Sequence, residues 1–156
     1  MSGSKIAGIE YYLPKKKENN KQLKKNNPRW DINRIYEKTG IDNRYISSEK
    51  ETTIDIAEKS IKKLLKKFPK TKIDFLILVT QTSPYRIPTA ACILQERLNL
   101  PKNIIAFDIN LGCSGFIYAL RVATAFIESK QAKNGLIVCA DTYTKLISKN
   151  NAQCRP

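Results

Sequence analysis

The sequence predicts an α/β fold, a layered arrangement with a mostly parallel sheet flanked by helices, on three observations. Apolar runs rich in branched side chains at residues 73–81, 104–109 and 136–140 read as buried strands. Segments with apolar side chains recurring at helical spacing lie before and between them. Strand, helix, strand, helix, strand is the order in which crossovers build a parallel sheet.

Taken in order, residues 5–13 carry Ile6, Ile9, Tyr11, Tyr12 and Leu13, stop at Pro14 and fit a first strand. Residues 15–27 are polar and loop-like, with at most a turn of helix. Ile32, Ile35 and Tyr36 predict a short helix over 31–38 that ends before Gly40. Thr52 and Asp55 form a capping-box pattern ahead of Ile54, Ala57, Ile61, Leu64, Leu65 and Phe68, an amphipathic helix with its lysines outward. After the strand at 73–81 and a turn at 83–88 come a helix at 89–98, the strand at 104–109, a helix at 113–129 and the strand at 136–140. Such a sheet gathers its strand-to-helix loops at one edge, where open α/β sheets bind ligands.

Length and composition fit one domain over residues 1–156: the chain has 156 residues, of which 42% are apolar. No stretch reaches the roughly 18 consecutive apolar residues of a membrane helix, and Met1-Ser2-Gly3-Ser4 has no apolar signal core. Cys92, Cys113, Cys139 and Cys154 form no CxxC pair, and the chain has 0 histidines, which argues against a zinc site or a redox pair. A cytoplasmic protein without metal or membrane is the expectation. The 28 Lys and Arg against 14 Asp and Glu leave a formal charge of +14, which invites an acidic protein partner. The basic runs at 15–25 and 59–72 contain almost no aromatic residues for stacking on bases, so nucleic acid is not the expected partner.

The chemistry concentrates in residues 106–120, Ala-Phe-Asp-Ile-Asn-Leu-Gly-Cys-Ser-Gly-Phe-Ile-Tyr-Ala-Leu. A buried strand delivers the chain to the turn Gly112-Cys113-Ser114-Gly115, which puts Cys113 where a helix begins. Helix N–H groups and the positive end of the helix dipole favour a thiolate there. Bringing a thiol from about 8.5 to about 7 requires roughly 2 kcal/mol, against about 0.3 to 1 kcal/mol from a helix end. A general base or an oxyanion pocket must supply the rest. The plain alternative is a small buried hydrophobe at a helix start, and that reading is kept for Cys92 and Cys139, which lie in an apolar helix and an apolar strand. Cys154, near the chain end, is expected to be exposed. Neither G-x-S-x-G nor G-x-G-x-x-G is present around this turn.

At this turn the sequence resembles the β-ketoacyl-[acyl-carrier-protein] synthase III family of thiolase-fold condensing enzymes. The landmarks that carry the resemblance span nearly the whole chain: Thr39-Gly40-Ile41 with Arg44, Glu51-Thr52-Thr53, Ile87-Pro88-Thr89-Ala90-Ala91-Cys92, Phe107-Asp108, and Cys113-Ser114-Gly115-Phe116 with Tyr118-Ala119-Leu120. The resemblance implies the amino-terminal half of a duplicated thiolase-like fold. It implies Cys113 as the acyl-carrying nucleophile, its backbone N–H as one oxyanion donor, and Gly112, Ser114 and Gly115 as the turn that shapes the site. It further implies a homodimer, acyl carrier protein as partner, and acyl-CoA or acyl-carrier-protein thioesters as substrates with no cofactor besides. The histidine and asparagine that promote decarboxylation and condensation belong to the other half.

The resemblance also places Thr39, Lys38 and Ile87 at substrate-binding positions. Relatives that prime with coenzyme A often hold adenine between an arginine just before Thr-Gly-Ile and a tryptophan four residues earlier. Here those places hold Lys38 and Arg34, and Trp30 comes four residues too early, which shifts weight to a carrier-protein donor. Ile87 replaces a bulky aromatic that reaches the partner's acyl pocket, implying a different or roomier acyl specificity. Two alternatives stand beside the condensing enzyme: a divergent thiolase-fold acyltransferase of a specialised pathway, and a noncatalytic interaction module.

Overall fold

The structure, a computed structural model, describes residues 3–147, which gather in two compact units. Cys154 lies outside the described residues.

The smaller unit comprises Leu13–Glu51 with residues 142–147. Strand β1, Lys16–Asn19, pairs antiparallel with β2, Asn43–Ile46. Between them run helix α1, Asn20–Asn26, and helix α2, Ile32–Thr39. Residues 15–27 thus hold a strand and a helix where the sequence reads as a loop. Two local devices build them. Asn19 and Gln22 form a reciprocal capping box, and Leu23, only 1% exposed, anchors the otherwise polar α1. Helix α2 starts at its Asp31 cap and stops at Gly40, as its sequence predicts.

The larger unit comprises residues 3–12 with Thr52–Asp141. Helix α3, Thr53–Leu64, opens with the predicted Thr52–Asp55 capping box. It is followed by strand β3, Phe75–Val79; helix α4, Ala90–Arg97; strand β4, Ile105–Ile109; helix α5, Gly115–Glu128; and strand β5, Gly135–Cys139. The three strands form a parallel sheet in the order β4-β3-β5. This is the layered α/β arrangement that the apolar runs predict.

Every residue of β3 is buried because the central strand is covered on both faces. Alternation then sorts its side chains. Leu76 and Leu78 pack with Ile54, Ala57 and Ile61 of α3 and with Ala90, Ala91 and Leu94 of α4. Phe75, Ile77 and Val79 point the other way, onto Ala119 and Ala123 of α5. Burying one such aliphatic side chain contributes about 1.5 to 3 kcal/mol, so β3 is the main hydrophobic anchor of this unit. A carboxylate ties β4 to α4: Asp108 accepts the Ala90 and Ala91 N–H groups at 2.8 Å each, serving as the cap that the Thr89 side chain does not provide.

Residues 5–13 do not form the expected strand. Ile6, Ile9, Tyr11 and Leu13 are exposed, and no ladder partner pairs with the segment among the described residues. Within the larger unit, cations hold residues 10–12 instead. Lys67 binds Glu10 at 2.6 Å, Lys63 donates to the Tyr11 carbonyl at 2.9 Å, and Lys59 lies 4.6 Å above the Tyr12 ring.

Candidate active site

The in-register pairs Val79↔Ile109 and Val79↔Cys139 bring the carboxyl ends of all three strands to one level. An open cavity of about 270 Å³ sits at that edge, lined by Val79, Leu111, Gly112, Cys113, Phe116, Cys139, Ala140 and Asp141. Its position is the one a parallel sheet reserves for ligands.

Cys113 reaches this cavity through a short path. After β4 ends at Ile109, the Gly115 N–H donates to the Gly112 carbonyl at 2.8 Å and closes a turn around Cys113 and Ser114. Helix α5 begins at Gly115 with Ser114 as its N-cap residue, and the Ser114 hydroxyl makes no capping bond. The positive end of α5 is therefore not quenched by its own cap, and the exposed Cys113 thiol stands beside it. Gly115 makes this approach possible, because a Cβ there would overlap the Val79 side chain. The structure thus brings Cys113, Gly112, Ser114 and Gly115 together at one helix start.

The other predicted residues belong to other elements. Ile87 is 89% exposed, on the loop before α4, and does not line the cavity. Thr39 and Lys38 belong to the last turn of α2 in the smaller unit. There the Thr39 hydroxyl donates to the Ile35 carbonyl at 2.8 Å and accepts the Ile41 N–H at 3.2 Å, which finishes the helix end. Lys38 is an exposed cation.

Sequence reasoning missed two residues of the cavity wall. Cys139, read as a small buried hydrophobe, is exposed and lines the same cavity as Cys113. Its place as the last residue of a parallel strand is the signal that marks it. Local burial, and then the nearby Asp141 carboxylate, push its thiol pKa up. Asp141 itself follows two residues after β5 and carries no motif. Cys92 fits its expected structural role, half-buried with its Sγ 3.8 Å from the Ala106 carbonyl. Among the described residues, no cluster of three or more His, Cys, Asp or Glu side chains is placed to hold a metal.

Comparison with known proteins gives this geometry its context. The profile of 3-oxoacyl-[acyl-carrier-protein (ACP)] synthase III matches residues 107–155, the stretch that includes Cys113. A β-ketoacyl-[acyl-carrier-protein] synthase III of Clostridium perfringens strain SM101 is 39% identical over 153 residues, covering 95% of this chain. The crystal structure of a 3-oxoacyl-(acyl-carrier-protein) synthase III superposes with a TM-score of 0.90 at 38% identity, over 96% of this chain and 45% of that one. The chain corresponds to the amino-terminal half of the ketoacyl synthase III family. A synthase III structure from Aquifex aeolicus VF5 agrees, with a TM-score of 0.87 at 38% identity over 96% of this chain and 48% of its own. The chain spans about half the length of the relatives it matches, 45% in the Clostridium protein. The α/β half-fold of the synthase III family is thereby established for this chain. No helix among the described residues is long and apolar enough to cross a membrane.

Proposed function

We propose that the chain is the nucleophile-bearing half of an acyl-transferring condensing enzyme of the ketoacyl synthase III type. The observation that carries this reading is the exposed Cys113 thiol at the start of α5, bordering a cavity at the carboxyl edge of the sheet. In the first step the Cys113 thiolate attacks the carbonyl of an acyl thioester. A new carbon–sulfur bond forms, the bond to the carrier sulfur breaks, and the released carrier thiolate takes up a proton. The Cys113 backbone N–H is one donor to the oxyanion that forms on the way, and the other half of the enzyme supplies the rest of that pocket.

In the second step malonyl on acyl carrier protein loses carbon dioxide. The resulting carbanion attacks the acyl group and returns the electron pair to the Cys113 sulfur. This chain has 0 histidines, so the histidine and asparagine for that step come from the other half of the enzyme. The route needs no cofactor, since both acyl groups arrive as thioesters. Residues 1–156 act as one amino-terminal domain, with Gly112, Ser114 and Gly115 shaping the turn. Thr39, Lys38 and Ile87 contact the donor or its acyl chain. A cytoplasmic homodimer serving fatty acid synthesis fits the reading, and a formal charge of +14 suits an acidic carrier protein.

The test is direct acylation. The chain alone is expected to be inactive, so it is tested together with its other half: incubation with acetyl-CoA and with acyl-carrier-protein thioesters adds one acyl mass to the Cys113 peptide, and Cys113→Ala abolishes the adduct. Failure of every donor while Cys113 still alkylates with iodoacetamide would refute the assignment. The absence of histidine favours a noncatalytic interaction module as the second reading, in which Cys113→Ala leaves partner binding unchanged. Carbon dioxide release from malonyl carrier protein separates a condensing enzyme from an acyltransferase that does not decarboxylate.

A further inference from the structure

One carboxylate organises the cavity wall opposite the nucleophile turn. Asp141 Oδ1 accepts three hydrogen bonds from the loop after β3: from Thr80 Oγ1 at 3.0 Å, the Gln81 N–H at 2.8 Å and Thr82 Oγ1 at 2.8 Å. Three donors converging on one oxygen fix the direction of this loop at the end of the central strand. The cluster extends inward. Thr82 commits its hydroxyl proton to Asp141, so the single hydroxyl proton of Thr53 at the start of α3 is shared between Thr82 Oγ1 at 2.7 Å and the Thr82 carbonyl at 2.8 Å. Thr53, Thr80 and Thr82 are all buried, so their hydroxyls have little water to exchange with.

The loop held in this way aims Gln81 at the nucleophile turn. A Cβ added at Gly112 would lie 2.6 Å from Gln81 Oε1, so the Gln81 amide lies against the residue immediately before Cys113. The Gly112 carbonyl is also the acceptor that closes the turn ahead of α5. A line of contact therefore runs from Asp141, through the Gln81 backbone and side chain, to Gly112 and Cys113.

We infer that Asp141 and Gln81 are positioning residues for Cys113: the Asp141 carboxylate fixes the Thr80–Thr82 loop so that Gln81 supports Gly112 and keeps the thiol at the head of α5. The inference rests on Cys113 being the nucleophile, but its test does not depend on acyl transfer. The 156-residue chain is alkylated with iodoacetamide, and rates at Cys113 and Cys92 are read by peptide mapping. A thiol carried away from its exposed place at the helix start is less accessible to the reagent and reacts more slowly.

Asp141→Ala and Gln81→Ala are each expected to slow Cys113 by at least about threefold while leaving Cys92 unchanged. Asp141→Asn retains an oxygen that accepts from the same three donors and is expected to restore the rate to within about twofold. Gln81 is exposed, so its truncation reports on positioning even if Asp141→Ala fails to fold. An unchanged Cys113 rate in Gln81→Ala overturns the inference, as does a parallel change at Cys92 and Cys113, which would mark general loosening. Variants that show these rate changes, together with a wild-type protein that accepts no acyl group when joined to its other half, would sink the enzyme assignment alone.

Discussion

The Val79 side chain at the end of β3 fills the space that a Cβ at Gly115 would need, so strand and helix meet there without any intervening side chain. This contact sets how closely the start of α5 approaches the sheet edge. Gly115→Ala must lift the first turn of α5 or displace Val79, an overpacking cost of about 1 to 3 kcal/mol. Denaturant unfolding should show that loss, and adding Val79→Ala should recover part of it.

The contrast between Ile77 and Ile87 tests where stability resides. Ile77 is 0% exposed on the α5 face of β3, so Ile77→Ala should cost about 2 to 5 kcal/mol through lost burial and a residual cavity. Ile87 is 89% exposed, and its truncation should stay within about 0.5 kcal/mol. Thermal or urea unfolding of both variants decides this. A large loss at Ile87 would mean that its side chain is covered in the assembled protein.

Helix α3 should impose a pH dependence on stability. Burial works to raise the Asp55 pKa, but hydrogen bonds from the Thr52 N–H and hydroxyl and from Arg97 outweigh it and hold the carboxyl below its ordinary value. A carboxyl lowered by folding stabilises fully above its unfolded pKa, about 3.9, and loses that contribution as pH falls through the lower folded value. Asp55→Asn should flatten the acid limb of the stability curve. Thr52→Ala should cost about 1 kcal/mol at neutral pH through loss of the cap. An acid limb as steep in Asp55→Asn as in the wild type, over the interval between pH ~4 and the lower folded pKa, would refute the assignment of that limb to Asp55.

Cys139 should alkylate at higher pH than an ordinary cysteine. Burial and the Asp141 charge both penalise its thiolate, so its reactivity profile should rise above the usual midpoint near 8.5. Asp141→Asn removes the charge and should move the Cys139 profile to lower pH. A profile that ignores the substitution would leave burial as the sole cause.

The sequence revealed the larger unit well because its signals are local and strong. The apolar run of β3, the Thr52–Asp55 box and the Gly112-Cys113-Ser114-Gly115 turn each require one structure, and each forms it. Residues 15–27 misled because α1 is polar apart from Leu23 and depends on a capping box and one buried side chain rather than on periodicity. Residues 5–13 misled in the opposite sense, since strand-like alternation is local whereas a ladder needs a partner. At the cavity, the position of Cys113 beside the start of α5 is legible from its glycine-flanked turn. Asp141 is not, because its importance lies in three donors contributed by residues about 60 positions earlier, a juxtaposition created only by pairing β3 with β5.

The lysines of α3 read in sequence as a lure for an acidic partner, yet several are already engaged. Lys59 and Lys63, with Lys67 just beyond the helix, grip Tyr12, Tyr11 and Glu10. Part of the basic excess is thus a fastener between the leading segment and a helix. Neutralising these three ammonium groups, as acetylation does, would unbuckle residues 10–12 while leaving α3 itself intact.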